Sequence, residues 1–253
     1  MFETTQVRHT RDGHIARLIF NRPAQLNALS PTLIDEALQL TLAVAGSDAR
    51  VLVISGAGRS FSAGVDLKAA SSPDYTRETA RRFSDRARTL ALLLETMPQA
   101  TIAQVSGHCF TGALELALAC DLIVASDDAI FCDTHGKLGL RPGWGLSQRL
   151  PRRVGAMRAR EMSFTARRVG AEEAARIGLV LEHVRPDRLL ARVNELSAQI
   201  AAMNPRSIAA YKTLYRGSQN LGLDDGLAFE AAFRPPRGED GSAPPLSAHL
   251  KAS

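Results

Sequence analysis

The chain has 253 residues, 45% of them hydrophobic and 23% charged, with a net charge of +5. That length and balance describe a soluble globular chain that can bury one substantial core or a core with an appended lobe. Aromatics are scarce and not interleaved with the arginines, so no stacking platform for nucleic acid is expected, and no apolar run reaches the roughly 18 residues that a membrane span needs.

In chain order, "TQVRHTRDGHIARLIFNRP" reads as two strands around a turn at Arg11-Asp12-Gly13, stopped by Pro23. "SPTLIDEALQLTLAVAG" reads as a helix with Ser30 as N-cap, Pro31 at its first position and Gly46 just past its end. "ARVLVISGAG" is a buried strand opening into a glycine-containing loop. A long arginine-studded helix is expected from Arg77 to Met97, ended by Pro98, with its arginines on a solvated face. "ATIAQVSG" is a further strand, followed by a helix; "DLIVAS" and "AIFCD" are strands, and from Ser147 onward the pattern is mostly helical. "RPPRGEDGSAPP" near the end breaks all periodicity and reads as loop or tail. The fold class expected is α/β, with a helical C-terminal part and a hinge around Gly178 to Pro205.

The amino terminus carries no apolar leader, and Cys109, Cys120 and Cys132 show neither paired spacing nor a zinc pattern with the scattered histidines. A reducing, cytoplasmic setting and no metal are therefore expected.

Three features point to chemistry. Glu115 lies in "GHCFTGALELALACDLIVAS", a run that otherwise reads as protein interior. A buried carboxylate must pair, stay protonated or have a task. The loop after "VLVISG" carries the small residues Ser62, Ala63 and Gly64, which let backbone N–H groups approach a ligand oxygen. The loop before Glu115 reaches Gly112 at a helix start, where unpaired N–H groups favour a developing negative charge. Two such donors would make an oxyanion hole. "GAGRSF" starts like a dinucleotide fingerprint, but Phe61 stands where the third glycine belongs, and neither a G-x-S-x-G elbow nor a P-loop occurs.

Taken together and in order, "FNRPAQLNALSPTLIDEAL", "VLVISGAGRSFSAGVDLK", "GHCFTGALELALACDLIVAS" and "LGLRPGWGLSQRLPRRVG", followed by "EEAARIGLV", resemble the crotonase or enoyl-CoA hydratase/isomerase superfamily from about Phe20 through Val184. The resemblance implies a crotonase-like spiral of ββα units over residues 1–190. It also implies a helical trimerisation part over 191–253 and assembly as a homotrimer or homohexamer. The partner implied is an acyl-CoA thioester, with no cofactor beyond the coenzyme A of the substrate. The thioester oxygen would accept from the N–H groups of Val65 and Gly112. Ala24, Gln25, Leu26, Ala63, Asp66, Leu67 and Lys68 would lie along the coenzyme A portion.

Glu115 falls on one of the two positions where hydratases of this family carry catalytic glutamates; the other position holds His135. His135 is read as the replacement acid/base. Asp133 is read as a strand-end turn residue, with orientation of His135, or the acid/base role itself, as its alternatives. The activity expected is hydration of a 2-enoyl-CoA. Isomerisation of a 3-enoyl-CoA through Glu115 alone, and acyl-CoA binding without turnover, are the alternatives. The tail lacks the family's usual C-terminal helix pattern, and Lys251 is its candidate contact to the coenzyme A phosphates.

Overall fold

The computed structural model describes residues 4–73 and 75–234; the Pro/Gly-rich tail and Lys251 lie outside them. Two antiparallel strands open the chain, β1 (Val7–Asp12) and β2 (Ile15–Phe20). The turn is one step later than the sequence reading had it: Arg11 and Asp12 pair with Ala16 and Ile15, and the reversal falls at Gly13, whose φ of +53° suits a residue without Cβ. Helix α1 (Pro31–Ala45) has its expected cap, the Ser30 hydroxyl accepting from the Leu33 N–H at 3.1 Å. Strand β3 (Val51–Gly56) follows, then the short α2 (Leu67–Ala70) and the long α3 (Arg77–Thr96).

The next unit is β4 (Ala100–Val105), β5 (His108–Phe110) and α4 (Gly112–Leu118), the helix of Glu115. Strands β6 (Leu122–Ser126) and β7 (Ile130–Cys132) lead into α5 (Leu146–Val154) and α6 (Ala156–Thr165). After the two-residue β8 (Val169–Gly170) come α7 (Ala171–Arg176) and β9 (Glu182–Val184), and the chain closes with α8 (Leu189–Ala201), α9 (Pro205–Ser218) and α10 (Leu223–Ala232).

The strands form two sheets. One has the order β1-β2-β3-β4-β6-β9, parallel from β2 onward; the other has the order β5-β7-β8. From β4 onward the pairs β4/β5, β6/β7 and β8/β9 each place one member in each sheet, so the chain winds as a spiral. The central strands read as continuous apolar runs because both their faces are covered. Leu52, Ile54, Ala103, Val105 and Ile123 enter the main core, whereas Val51, Val53, Ile102 and Val124 pack with Leu189 and Val193 of α8. The stretch read as a hinge thus contains an edge strand of the large sheet and a helix lying on it.

Helices α9 and α10 have no buried residues. What ties α9 down is Lys212, whose ammonium donates to Asp121 Oδ2 at 2.7 Å and to the carbonyls of Gln99 and Leu94 at 2.8 and 3.3 Å. Asp121 also accepts from the Thr101 N–H and hydroxyl, so the group joins α9 to the start of β4 and β6. Lys212→Met is expected to cost about 2–3 kcal/mol in urea-denaturation stability, because the half-covered Asp121 carboxylate and two carbonyls lose their donor while solvent screens part of the loss.

Among the described residues no helix is long and apolar enough to cross a membrane, and no group of three or more His, Cys, Asp or Glu side chains could hold a metal ion.

Candidate active site

Glu115 lies in the first turn of α4 and is 1% exposed. Its Oε1 accepts from the N–H groups of Trp144 at 2.9 Å and Leu146 at 3.0 Å, at the start of α5. Burial raises its carboxyl above the ordinary glutamate value, against the pull of those two bonds and of His135. A carboxyl raised that way holds its proton more firmly than an exposed glutamate, which suits a group that must both give and take one.

The other oxygen, Oε2, faces His135 Nε2 at 3.7 Å. That separation is too long for a direct hydrogen bond, but one water oxygen can lie at about 2.8 Å from both atoms. The opposite ring nitrogen, Nδ1, is held by Asp133 Oδ1 at 2.7 Å, and the same oxygen accepts the His135 N–H at 3.1 Å. Burial alone would raise the Asp133 carboxyl; hydrogen bonds from the His135 ring, the Ser163 hydroxyl and the His135 amide outweigh it and hold the group below its usual range. Asp133 is therefore an anion that fixes the imidazole, with Nδ1 carrying a proton and Nε2 turned toward Glu115. The turn-residue reading of Asp133 holds, since it follows β7 directly and accepts the His135 N–H, and the orienting alternative holds beside it: the 2% exposed carboxylate also grips the imidazole.

Local stitching brings these residues together. The Thr111 N–H donates to the Cys132 carbonyl at 2.8 Å, the Thr134 N–H donates to Thr111 Oγ1 at 3.2 Å, and the two threonine hydroxyls bond each other. The end of β5 and the end of β7 are thereby joined one residue before Gly112 and one before His135. Thr111 takes a positive φ of 51°, a conformation held by those bonds.

The loop bearing Val65 reaches the same place. Residues Phe61 and Ser62 bond backbone to backbone with Ser106, His108 and Phe110 alongside β5. Gly64 has φ +90°, and a Cβ there would come within 2.7 Å of the Phe110 carbonyl oxygen, so only glycine allows the approach. Leu29 bridges Val65 by bonding Gly64 O and Asp66 N, at 2.8 and 3.1 Å. The Val65 N–H therefore points to the opposite side. Among the described residues neither it nor the Gly112 N–H donates to an acceptor of the protein. Gly112 is itself closely covered: a Cβ would sit 2.4 Å from the indole of Trp144.

The residues assigned to coenzyme A gather beside this loop. Ala24 and Gln25 are exposed on a 3₁₀ turn, Leu26 follows with φ 49°, and its carbonyl accepts from Ala63 N at 2.9 Å. Leu67 and Lys68 are exposed at the start of α2. The side chain of Asp66 is committed within the protein, capping α2 through the Lys68 and Ala69 N–H groups and pairing with Arg22 at 2.8 Å. Sequence reasoning missed the Trp144 and Leu146 amides that grip Glu115. The signal that could have found them is the glycine on each side of Trp144 in "PGWG", which marks a backbone turn able to present N–H groups.

The enoyl-CoA hydratase/isomerase family model matches residues 10–234. The chain belongs to that family. As an enoyl-CoA hydratase/isomerase family member it is 33% identical over 223 residues to a crotonyl-CoA hydratase of Syntrophomonas wolfei, covering 87% of this chain and 85% of that one. Its fold is the crotonase-like spiral of ββα units followed by helices. An enoyl-CoA hydratase from Bacillus anthracis superposes with a TM-score of 0.86 at 32% identity, over 90% of this chain and 88% of that one. A Thermobifida fusca protein in complex with acetoacetyl-CoA superposes with a TM-score of 0.83 at 31% identity, over 89% and 92%.

Proposed function

We propose that this family member is an enoyl-CoA hydratase that adds water across the 2,3 double bond of an enoyl-CoA thioester. The observation that carries the reading is the buried pair of Glu115 Oε2 and His135 Nε2, 3.7 Å apart, with each group's other heteroatom anchored by the protein. A single acid suffices to move a proton along a carbon chain; two proton carriers spaced around one water suit hydration.

In this reading the thioester oxygen lies against the N–H groups of Val65 and Gly112, which stabilise the enolate as charge develops there. Glu115, as carboxylate, takes a proton from the water while its oxygen attacks C3. Protonated His135 delivers a proton to C2, and Asp133 holds the imidazolium during the step. The proton then on Glu115 returns to His135 through the next water, which restores the starting state. Support for a coenzyme A ester comes from the hydratase names among the relatives and from the acetoacetyl-CoA complex of the Thermobifida fusca protein.

Incubation with crotonyl-CoA and with 3-hexenoyl-CoA tests this. Loss of the enoyl thioester's ultraviolet absorbance and appearance of 3-hydroxybutyryl-CoA are expected. Conversion of 3-hexenoyl-CoA to the 2-enoyl ester with no hydrated product from either substrate would overturn hydration in favour of isomerisation.

A further inference from the structure

Trp144 touches both halves of the proposed chemistry. Its indole lies on the α-carbon of Gly112, and its amide holds Glu115. Every polar group it owns is fixed: the carbonyl accepts from Arg149 Nη1 at 2.7 Å, Arg149 is held in turn by Glu95 at 2.6 Å, and the indole Nε1 donates to the Ser84 hydroxyl of α3 at 3.2 Å. The Phe83 ring stands edge-on to the indole, with centroids 5.5 Å apart and planes at 78°. Both rings are 6% exposed. Such a pair is a closely packed wall.

Beyond the wall lies a groove of about 550 Å³ between α1, α2 and α3. Phe83 lines it, together with Ala69, Tyr75 and Thr79 and, at its charged side, Asp35, Arg82 and Arg86, whereas Trp144 does not. The aromatic pair therefore stands between the Gly112–Glu115 centre, which the indole touches, and the groove, which Phe83 lines.

Building on the hydratase reading, we infer that Trp144 and Phe83 set acyl-chain length, so that the site accepts 2-enoyl thioesters the size of crotonyl-CoA and excludes medium-chain esters. Carbons beyond C4 meet the indole face. An ester long enough to need the groove must displace two packed rings and the Ser84 bond.

The test measures two things on the whole protein: calorimetric affinity for the unreactive butyryl-CoA and decanoyl-CoA, and kcat/KM for crotonyl-CoA and trans-2-decenoyl-CoA. The wild type is expected to favour the short ester of each pair by roughly tenfold or more. Trp144→Ala is expected to reverse or abolish the preference by joining centre and groove, and Trp144→Phe to keep most of it. Should Trp144→Ala not fold, Phe83→Ala opens the same passage from the α3 side. Equal treatment of both lengths by the wild type would overturn the inference. So would an unchanged ratio in the opened variants, since the tail would then run past His135 toward Leu140 and Phe164. A length preference in binding without hydration of crotonyl-CoA would sink the hydratase reading and leave this one standing; hydration without length preference would do the reverse.

Discussion

Glu115→Gln is expected to lower kcat for crotonyl-CoA hydration by about 10²–10⁴-fold while leaving the protein as stable or more so. The amide has the same shape, and its oxygen can still accept from the Trp144 and Leu146 N–H groups, so packing survives. What disappears is the proton carrier. The stability side has a definite sign. Burial raises the folded-state value of Glu115 above the ordinary 4.5, so between the two values the folded chain binds more protons than the unfolded one. Stability from this group is greatest below the ordinary value, falls as pH rises toward the raised one, and stays at the lower level above it. The glutamine variant lacks that slope and should gain on the wild type with rising pH in urea denaturation. Hydration runs the other way, because the base form is needed: kcat falls as pH drops through the raised value. A variant with full hydratase activity would remove Glu115 from the mechanism.

His135→Ala is expected to cost a comparable 10²–10⁴-fold in hydration, since the second proton carrier goes. Unlike the glutamine variant it also destabilises, by about 1–3 kcal/mol, because Asp133 is left buried and short of a donor. Asp133→Asn separates positioning from chemistry. The ring remains and the anion that orients it is lost, so kcat should fall less than in His135→Ala while KM holds. If His135→Ala left hydration intact, single-acid chemistry through Glu115 would be the better account. A kcat unmoved by Asp133→Asn would reduce Asp133 to a packing role.

These residues differ in how openly the sequence declares them. Glu115 announces itself by contrast, a carboxylate within an apolar run that no surface helix would carry. The glycines of the two loops are equally legible as points of close approach, and the cap residues of α1 fix its ends locally. His135 is visible only through its place in a family pattern, for a histidine after a short strand has no local signature. Asp133 is legible as a strand-end turn residue, and it does accept the His135 N–H; that it also grips the imidazole depends on a side chain two positions away folding back, which a one-residue window does not specify.

By itself the sequence determined the α/β alternation, the boundaries of the capped helices, the family and the buried acid. Those are properties of periodicity, local backbone preference and ordered motifs, all short-range along the chain. The tertiary structure alone decided that Trp144, 29 residues after Glu115, supplies its amide to that carboxylate while its indole covers Gly112. It also decided that Thr111 and Thr134 draw His135 to within 3.7 Å of Glu115. Contacts of that kind arise only when strands of separate sheets and helices from distant segments close around one interior, where each buried polar group must find whichever partner the packing brings to it.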